Sequence, residues 1–301
     1  MKKKWLLFLL AILFLPKGVL GVENKGAYLS PPFADLEIVN GEEKEFELEI
    51  GNQGESSLVF DLSVIDFGSL DESGGIAFLT ASPDKSERKY ALASWISLEK
   101  SEVVVAAKSK EKIKITILNK ESLLPGGHYG AVLATMRNEE KSVGDKVGIN
   151  QSIASLLYVQ KSGGEVKNLI LKNIIWRNPT LKSIDELDLR FENNGNTHLV
   201  PRGKVEIKNI FNKVVAKGII NEGSVKILPE TFRKIVVDIK YFKQWKWPGK
   251  YTVEIDYRYE GKQDFLKYKN SFYYMGLEGI ILLFLGLILG LFWWQRKKRA
   301  F

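Results

Sequence analysis

Two histidines are the first side chains to weigh for chemistry in this 301-residue chain, which has no cysteine. His128 lies in Pro125-Gly-Gly-His-Tyr129, and His198 follows Asn193-Asn-Gly-Asn196. These are turns of what read as different domains, so the two imidazoles are not expected to share a site. An imidazole acts as a general base only beside a nucleophile and an orienting group. Patterns that supply such company, HExxH, GxSxG and the P-loop, are absent. The missing thiols remove cysteine catalysis, Cys-ligated zinc and iron–sulfur clusters. Asp66, Asp71 and Glu72 sit in a Gly-rich stretch without the ligand spacing or closing Glu of a calcium loop. It reads as a solvated loop. No catalytic residue, metal ligand or cofactor is expected.

Aromatic rings are the remaining candidates for binding. Tyr241-Phe-Lys-Gln-Trp245-Lys-Trp247-Pro248 places Trp245 and Trp247 on one side of an extended segment. Buried, they pack a core. Exposed, they stack on sugars, grip a partner or enter a lipid headgroup layer.

The elements that carry these residues are strands. Phe46–Ile50, Ile113–Ile117, Leu187–Phe191, Ile235–Ile239 and Tyr251–Tyr257 alternate apolar and polar residues, which puts one face in a core and one in water. Turn signals separate them at Asn52-Gln-Gly54, Pro125-Gly126, Asn193-Asn-Gly195 and Pro248-Gly249. The order of an alternating strand, an Asn–Gly turn, further strands and a Pro-Gly turn leading to Tyr129 or Tyr251 occurs twice. This predicts an all-β chain of two tandem immunoglobulin-like sandwiches, residues 22–162 and 163–272. The first carries a polar insertion near 66–94, and Lys161-Ser-Gly-Gly164 joins the two. The Pro-Gly turns are read as structural, with glycine supplying a positive φ and tyrosine opening the next strand.

The two ends address the chain. Lys2-Lys-Lys4, the apolar run Trp5–Leu15 and Val19-Leu-Gly21 have the form of a signal peptide over residues 1–21. Gly279–Trp294 is apolar and is followed by Arg296, Lys297, Lys298 and Arg299. That is a transmembrane helix over 273–295 with a basic tail, 296–301, on the cytoplasmic side. The expected topology is single-pass, with the N-terminus outside after cleavage, and absence of cysteine points to a prokaryotic surface. Residues 22–164 carry 15 bases and 22 acids, and residues 165–277 carry 21 and 13, so the halves are −7 and +8. A basic half near the membrane can face anionic lipid or wall polymer. An exported chain without RNP or zinc-finger patterns is not expected to bind nucleic acid.

These features resemble the WxL-interacting protein family of bacterial surfaces. The first domain is similar in Tyr28-Leu-Ser-Pro31, Asn40-Gly41, Asn52-Gln-Gly54, Trp95-Ile-Ser-Leu98, Val103–Val105, Leu124-Pro-Gly126, Tyr129 and Ser152–Val159. The second is similar in Leu189–Asn193, Leu228-Pro229 and Pro248-Gly249 with Tyr251. The resemblance implies a peptidoglycan-binding first domain, a host- or partner-binding second domain and a C-terminal anchor. The expected function is a non-catalytic surface protein that binds cell-wall polymer or a surface protein. The alternative is a chaperone-like or accessory subunit of a surface assembly machine that uses a sheet edge.

Overall fold

The computed structural model describes residues 26–39, 41–79, 89–121, 123–137, 151–176, 184–242 and 247–299. The expected signal peptide and Trp245 lie outside them.

Strand β3 (Lys44–Asn52) shows how alternation builds the first half. Leu48 and Ile50 are fully buried. The glutamates between and before them face water, where each meets a lysine of β8 (Lys110–Ile117): Glu45 with Lys114 (2.7 Å), Glu47 with Lys112 (2.6 Å) and Glu49 with Lys110 (2.9 Å). Such exposed pairs contribute at most about 1 kcal/mol each. The buried isoleucines of β8, Ile113, Ile115 and Ile117, contribute more, at about 1.5–3 kcal/mol per fully buried side chain.

Around this pair one sheet runs β1 (Ala27–Ser30), β3, β8, β6 (Ile96–Leu98). The facing sheet runs β2 (Phe33–Ile38), β10 (Ser152–Lys161), β9 (Gly126–Met136), β4 (Leu58–Ser69), β5 (Ile76–Leu79), with β7 (Glu102–Val105) also on β4. Pro31 and Pro32 donate no backbone hydrogen bond, and the chain changes sheets there. β1 pairs antiparallel with β3, whereas β2 runs parallel to β10.

The second half repeats the plan. A three-stranded sheet has the order β11 (Leu169–Ile175), β12 (Glu186–Asn193), β15 (Phe232–Asp238). A five-stranded sheet has the order β16 (Lys240–Tyr241), β14 (Val214–Ile220), β13 (Arg202–Lys208), β17 (Gly249–Arg258), β18 (Leu266–Tyr274). Each half has its own apolar core, one around Leu48, Phe60 and Leu157 and one around Phe191, Val205 and Val253. The architecture is therefore all-β, two immunoglobulin-like sandwiches, followed by one apolar helix, α1 (Gly276–Arg299).

Two boundaries differ from the sequence reading. Tyr273 and Tyr274 belong to β18 and not to the helix, because Phe272 and Tyr274 alternate into the second core. Apolar content alone does not separate a buried aromatic strand end from the start of a span. Only Met275 separates strand from helix. The expected polar insertion is also partly ordinary sheet: Asp66–Ser69 completes β4 and Ile76–Leu79 forms β5 against it.

The Asn–Gly turns close both halves in the same way. Asn52 donates through Nδ2 to the carbonyls of Ser56, Val105 and Ala106 (2.8, 3.0 and 3.1 Å), and its Oδ1 accepts from Gly54 N–H (2.9 Å). Asn193 donates to Thr197 and Ile227 carbonyls (both 2.8 Å) and accepts from Gly195 N–H (2.9 Å). Each is a buried amide that satisfies backbone groups a tight turn leaves unpaired.

Candidate interaction surfaces

The two sequence motifs that carry histidine meet at the joint between the sandwiches. Gly127 N–H donates to Asn196 O (2.7 Å), and Asn196 holds the linker through Val166 N–H (2.7 Å) and Gly164 O (2.9 Å). His198 reaches across to Tyr129, whose hydroxyl lies 3.4 Å from Nδ1, and to Asp35 Oδ1 at 3.1 Å. Lys226 also pairs with Asp35 (3.0 Å) and lies over the rings of Phe33 and Tyr158. Burial alone would raise the Asp35 carboxyl; the bonds from His198 and Lys226 outweigh it and hold the group below the usual carboxylate range.

The joint is pinned at a second place. Glu72, expected in a solvated loop, accepts from Nε and Nη2 of Arg190 (2.7 and 2.5 Å), and its carbonyl accepts from Lys234 N–H (2.7 Å). Lys89 and Tyr90 both donate to Glu230 (2.6 and 2.9 Å). The loop is thus a bridge to the second half. Its run of polar residues and glycines carried no sign of a partner 118 positions away.

Tyr129 and Tyr251 do not play one part. Tyr251 is core, and its hydroxyl donates to Trp247 O, four residues back, at 2.6 Å. In the first half the equivalent bond is made by His128, whose Nε2 lies 2.7 Å from Leu124 O. The extra glycine of Pro125-Gly-Gly-His-Tyr129 moves Tyr129 one position along, and one position reverses the face. Tyr129 therefore points to the joint, among Phe67, Tyr158 and His198. The other nitrogen of His128 lies 3.0 Å from Ala91 O, and burial lowers its pKa. Both imidazoles are engaged in structure.

Gly126 and Gly249 both take positive φ, +120° and +148°. A Cβ at 126 would lie 2.8 Å from Asn196 O, whereas at 249 the nearest atom is Ile210 Cγ2 at 4.0 Å. Gly126→Val should therefore lose more stability than Gly249→Val, which meets only backbone strain of about 1–3 kcal/mol. Thermal melts of the two variants check this, and equal losses would deny the joint its share.

Trp247 is 66% exposed and lines a groove at the foot of the second sandwich with Phe242, Ile210 and Phe211. Phe211, Phe242 and Trp247 are exposed together there, while Phe33 and Phe78 are exposed on the first sandwich. Arg296 and Lys297, at the far end of α1, lie over Phe292 and Trp293. The backbones of Lys298 and Arg299 complete the helix.

The longest sheet edge among the described residues is β18. It pairs with β17 over nine residues, from Gly249↔Tyr274 to Tyr257↔Leu266, and ends the sheet order. Other edge strands are shorter, and β11 carries a bulge. Period two should bury every second residue, yet Lys267–Ser271 are exposed without a break. That stretch overhangs the core with both faces uncovered.

Fold and surface together define a class: two interlocked sandwiches joined directly to an apolar helix, with an open strand beside it. No protein-family model matches the chain, and no curated protein matches it. Solved structures are similar in fold. One belongs to a chaperone–tip adhesin complex of CFA/I fimbriae biogenesis, with TM-score 0.45 and 14% identity over 81% of this chain and 98% of that one. Another is the class 5 fimbriae chaperone CfaA, with TM-score 0.40 and 13% identity over 81% and 99%. A third is a Salmonella enterica SafA pilin–SafB chaperone complex, with TM-score 0.38 and 11% identity over 81% and 95%.

Proposed function

We propose that this chain is a membrane-anchored accessory protein that binds another surface protein without chemistry, receiving a partner strand along the open edge of β18. The observation that carries this reading is the nine-residue edge whose exposed run Lys267–Ser271 neither sheet covers. A strand added there gains main-chain hydrogen bonds along the edge and gives Tyr268, 39% exposed, a neighbour. Lys267 and Lys269 keep such an edge from pairing with its own copies, since like charges would meet. They leave it open to an acidic partner strand. The helix holds this edge at the outer face of the membrane after export.

The sequence expectation named cell-wall polymer or a surface protein as the ligand. Sugar binding calls for exposed planar rings on a reachable face. Exposed rings lie on both sandwiches, Phe33 and Phe78 on the first and Phe211, Phe242 and Trp247 at the foot of the second, so rings alone do not choose between polymer and protein; the open β18 edge supports the protein partner.

A photo-crosslinking residue at Tyr268 or Asn270, in the full chain in its native membrane, should trap a discrete protein adduct. The same residue at Lys112, on the charged ladder, should not. Loss of the Asn270 adduct on Tyr268→Glu would place the contact on this edge. Adducts at 112 alone, or retention of isolated wall without any protein adduct, would overturn the reading.

A further inference from the structure

We infer that the foot of the second sandwich sits in the outer headgroup layer of a lipid bilayer, with Ile210, Phe211, Phe242 and Trp247 as its anchoring side chains. The inference rests on the reading that α1 spans that bilayer.

The four side chains are 66%, 82%, 61% and 66% exposed. They come from two connections, the β13–β14 hairpin and the segment between β16 and β17, and line one groove of about 540 Å³. Isolated exposed apolar residues need no explanation, but a contiguous cluster of this kind marks a contact surface.

The occupant follows from where the groove lies. Gly249, beside Ile210, pairs with Tyr274 at the end of β18. Pro248, which lines the groove, packs on the first turn of α1: a Cβ at Gly279 would be 2.9 Å from its Cβ. Helix length then sets the depth. The run Gly279–Trp294 spans only ~24 Å at 1.5 Å per residue, short of a ~30 Å hydrocarbon core. Counting from Met275 restores ~30 Å, and Gly279 then lies ~6 Å inside the boundary. Pro248, touching it, is drawn to the edge of the hydrocarbon, and the groove goes with it. With Met275 alone between strand and helix, little room remains for another macromolecule to enter.

The chemistry agrees. Tryptophan suits the interface, where its ring meets both tails and headgroups, and phenylalanine adds apolar area that enters the acyl boundary. Charged residues lining the groove, among those described, are Lys213 and Lys250, with no acid. Lysine at this depth is attracted to anionic lipid.

The absence of cysteine makes the test clean. Single variants Phe211→Cys, Leu285→Cys and Val104→Cys of the full chain carry a nitroxide in nanodiscs of phosphatidylcholine and phosphatidylglycerol. Val104 is 56% exposed on the first sandwich, and Leu285 lies in mid-helix. Labels at 211 and 285 should be relaxed more by oxygen than by a water-soluble nickel chelate, and the label at 104 the reverse. A water-like label at 211 with a lipid-like one at 285 would overturn the inference and leave the span intact. A water-like label at 285 would overturn the span itself. A label at 211 shielded from both relaxants would overturn the lipid assignment in favour of a second copy.

Discussion

Replacing Asn193 by alanine is expected to cost about 3–4 kcal/mol, among the largest effects a single substitution can have here. The side chain is fully buried and holds three backbone groups: the carbonyls of Thr197 and Ile227 and the N–H of Gly195. Alanine removes every partner at once. Each abandoned group keeps a desolvation penalty of about 1–3 kcal/mol, partly relieved if water enters. The melting temperature of the full chain in detergent should fall by about 10 °C. Asn52→Ala should behave alike, since Asn52 makes four such bonds. The neighbour Asn194 is exposed, and Asn194→Ala should stay within about 0.5 kcal/mol of the parent. A small effect at both 52 and 193 would show that these turns hold their shape without the amides.

The two asparagines also show what was legible in the sequence. Alternation located strands such as β3, β8, β12 and β17, because a half-buried sheet imposes period two directly on residue type. The paired Asn–Gly turns announced two similar sandwiches for a comparable reason: a buried amide that caps a turn has few substitutes. What failed to show was contact between the halves. Charge was read as a ligand preference, −7 against +8. In the structure, acids of the first half, Asp35 and Glu72, meet bases of the second, Lys226 and Arg190. Part of the split is spent on the joint. Composition counts charges without direction, so it cannot separate an interface from a binding surface. Nor did the sequence single out β18, which none of the alternating runs included. Its importance lies in the absence of a neighbour, and no residue encodes an absence. The aromatic foot was visible as a cluster around Trp247, but Ile210 and Phe211 join it from a hairpin more than 30 positions earlier.

Tyr129 turns this difference into a second large prediction. Its side chain is 2% exposed and touches rings from both sides of the joint: Phe67 (5.9 Å between centroids), Tyr90 (6.4 Å) and Tyr158 (5.9 Å) from the first half, and His198 (5.8 Å) from the second. Tyr129→Ala should cost about 3–5 kcal/mol, the usual range for emptying a buried aromatic site. The kind of loss matters as much as its size. Each sandwich keeps its own core without Tyr129, so the variant should melt in two transitions where the parent melts in one. Protease should then cut near Ser162–Gly164, where the parent resists. Tyr129→Phe separates packing from bonding. The hydroxyl stands 3.4 Å from His198 Nδ1, longer than an ordinary hydrogen bond, so its removal should cost less than about 1 kcal/mol and leave the joint closed. A single lowered transition for Tyr129→Ala, with the linker still protected, would assign the ring to the first core alone. The ion pairs at Glu72 and Asp35 would then suffice to lock the halves. A locked joint also matters to the proposed edge: the first sandwich stays in a fixed orientation to β18, and a strand arriving there meets one shape.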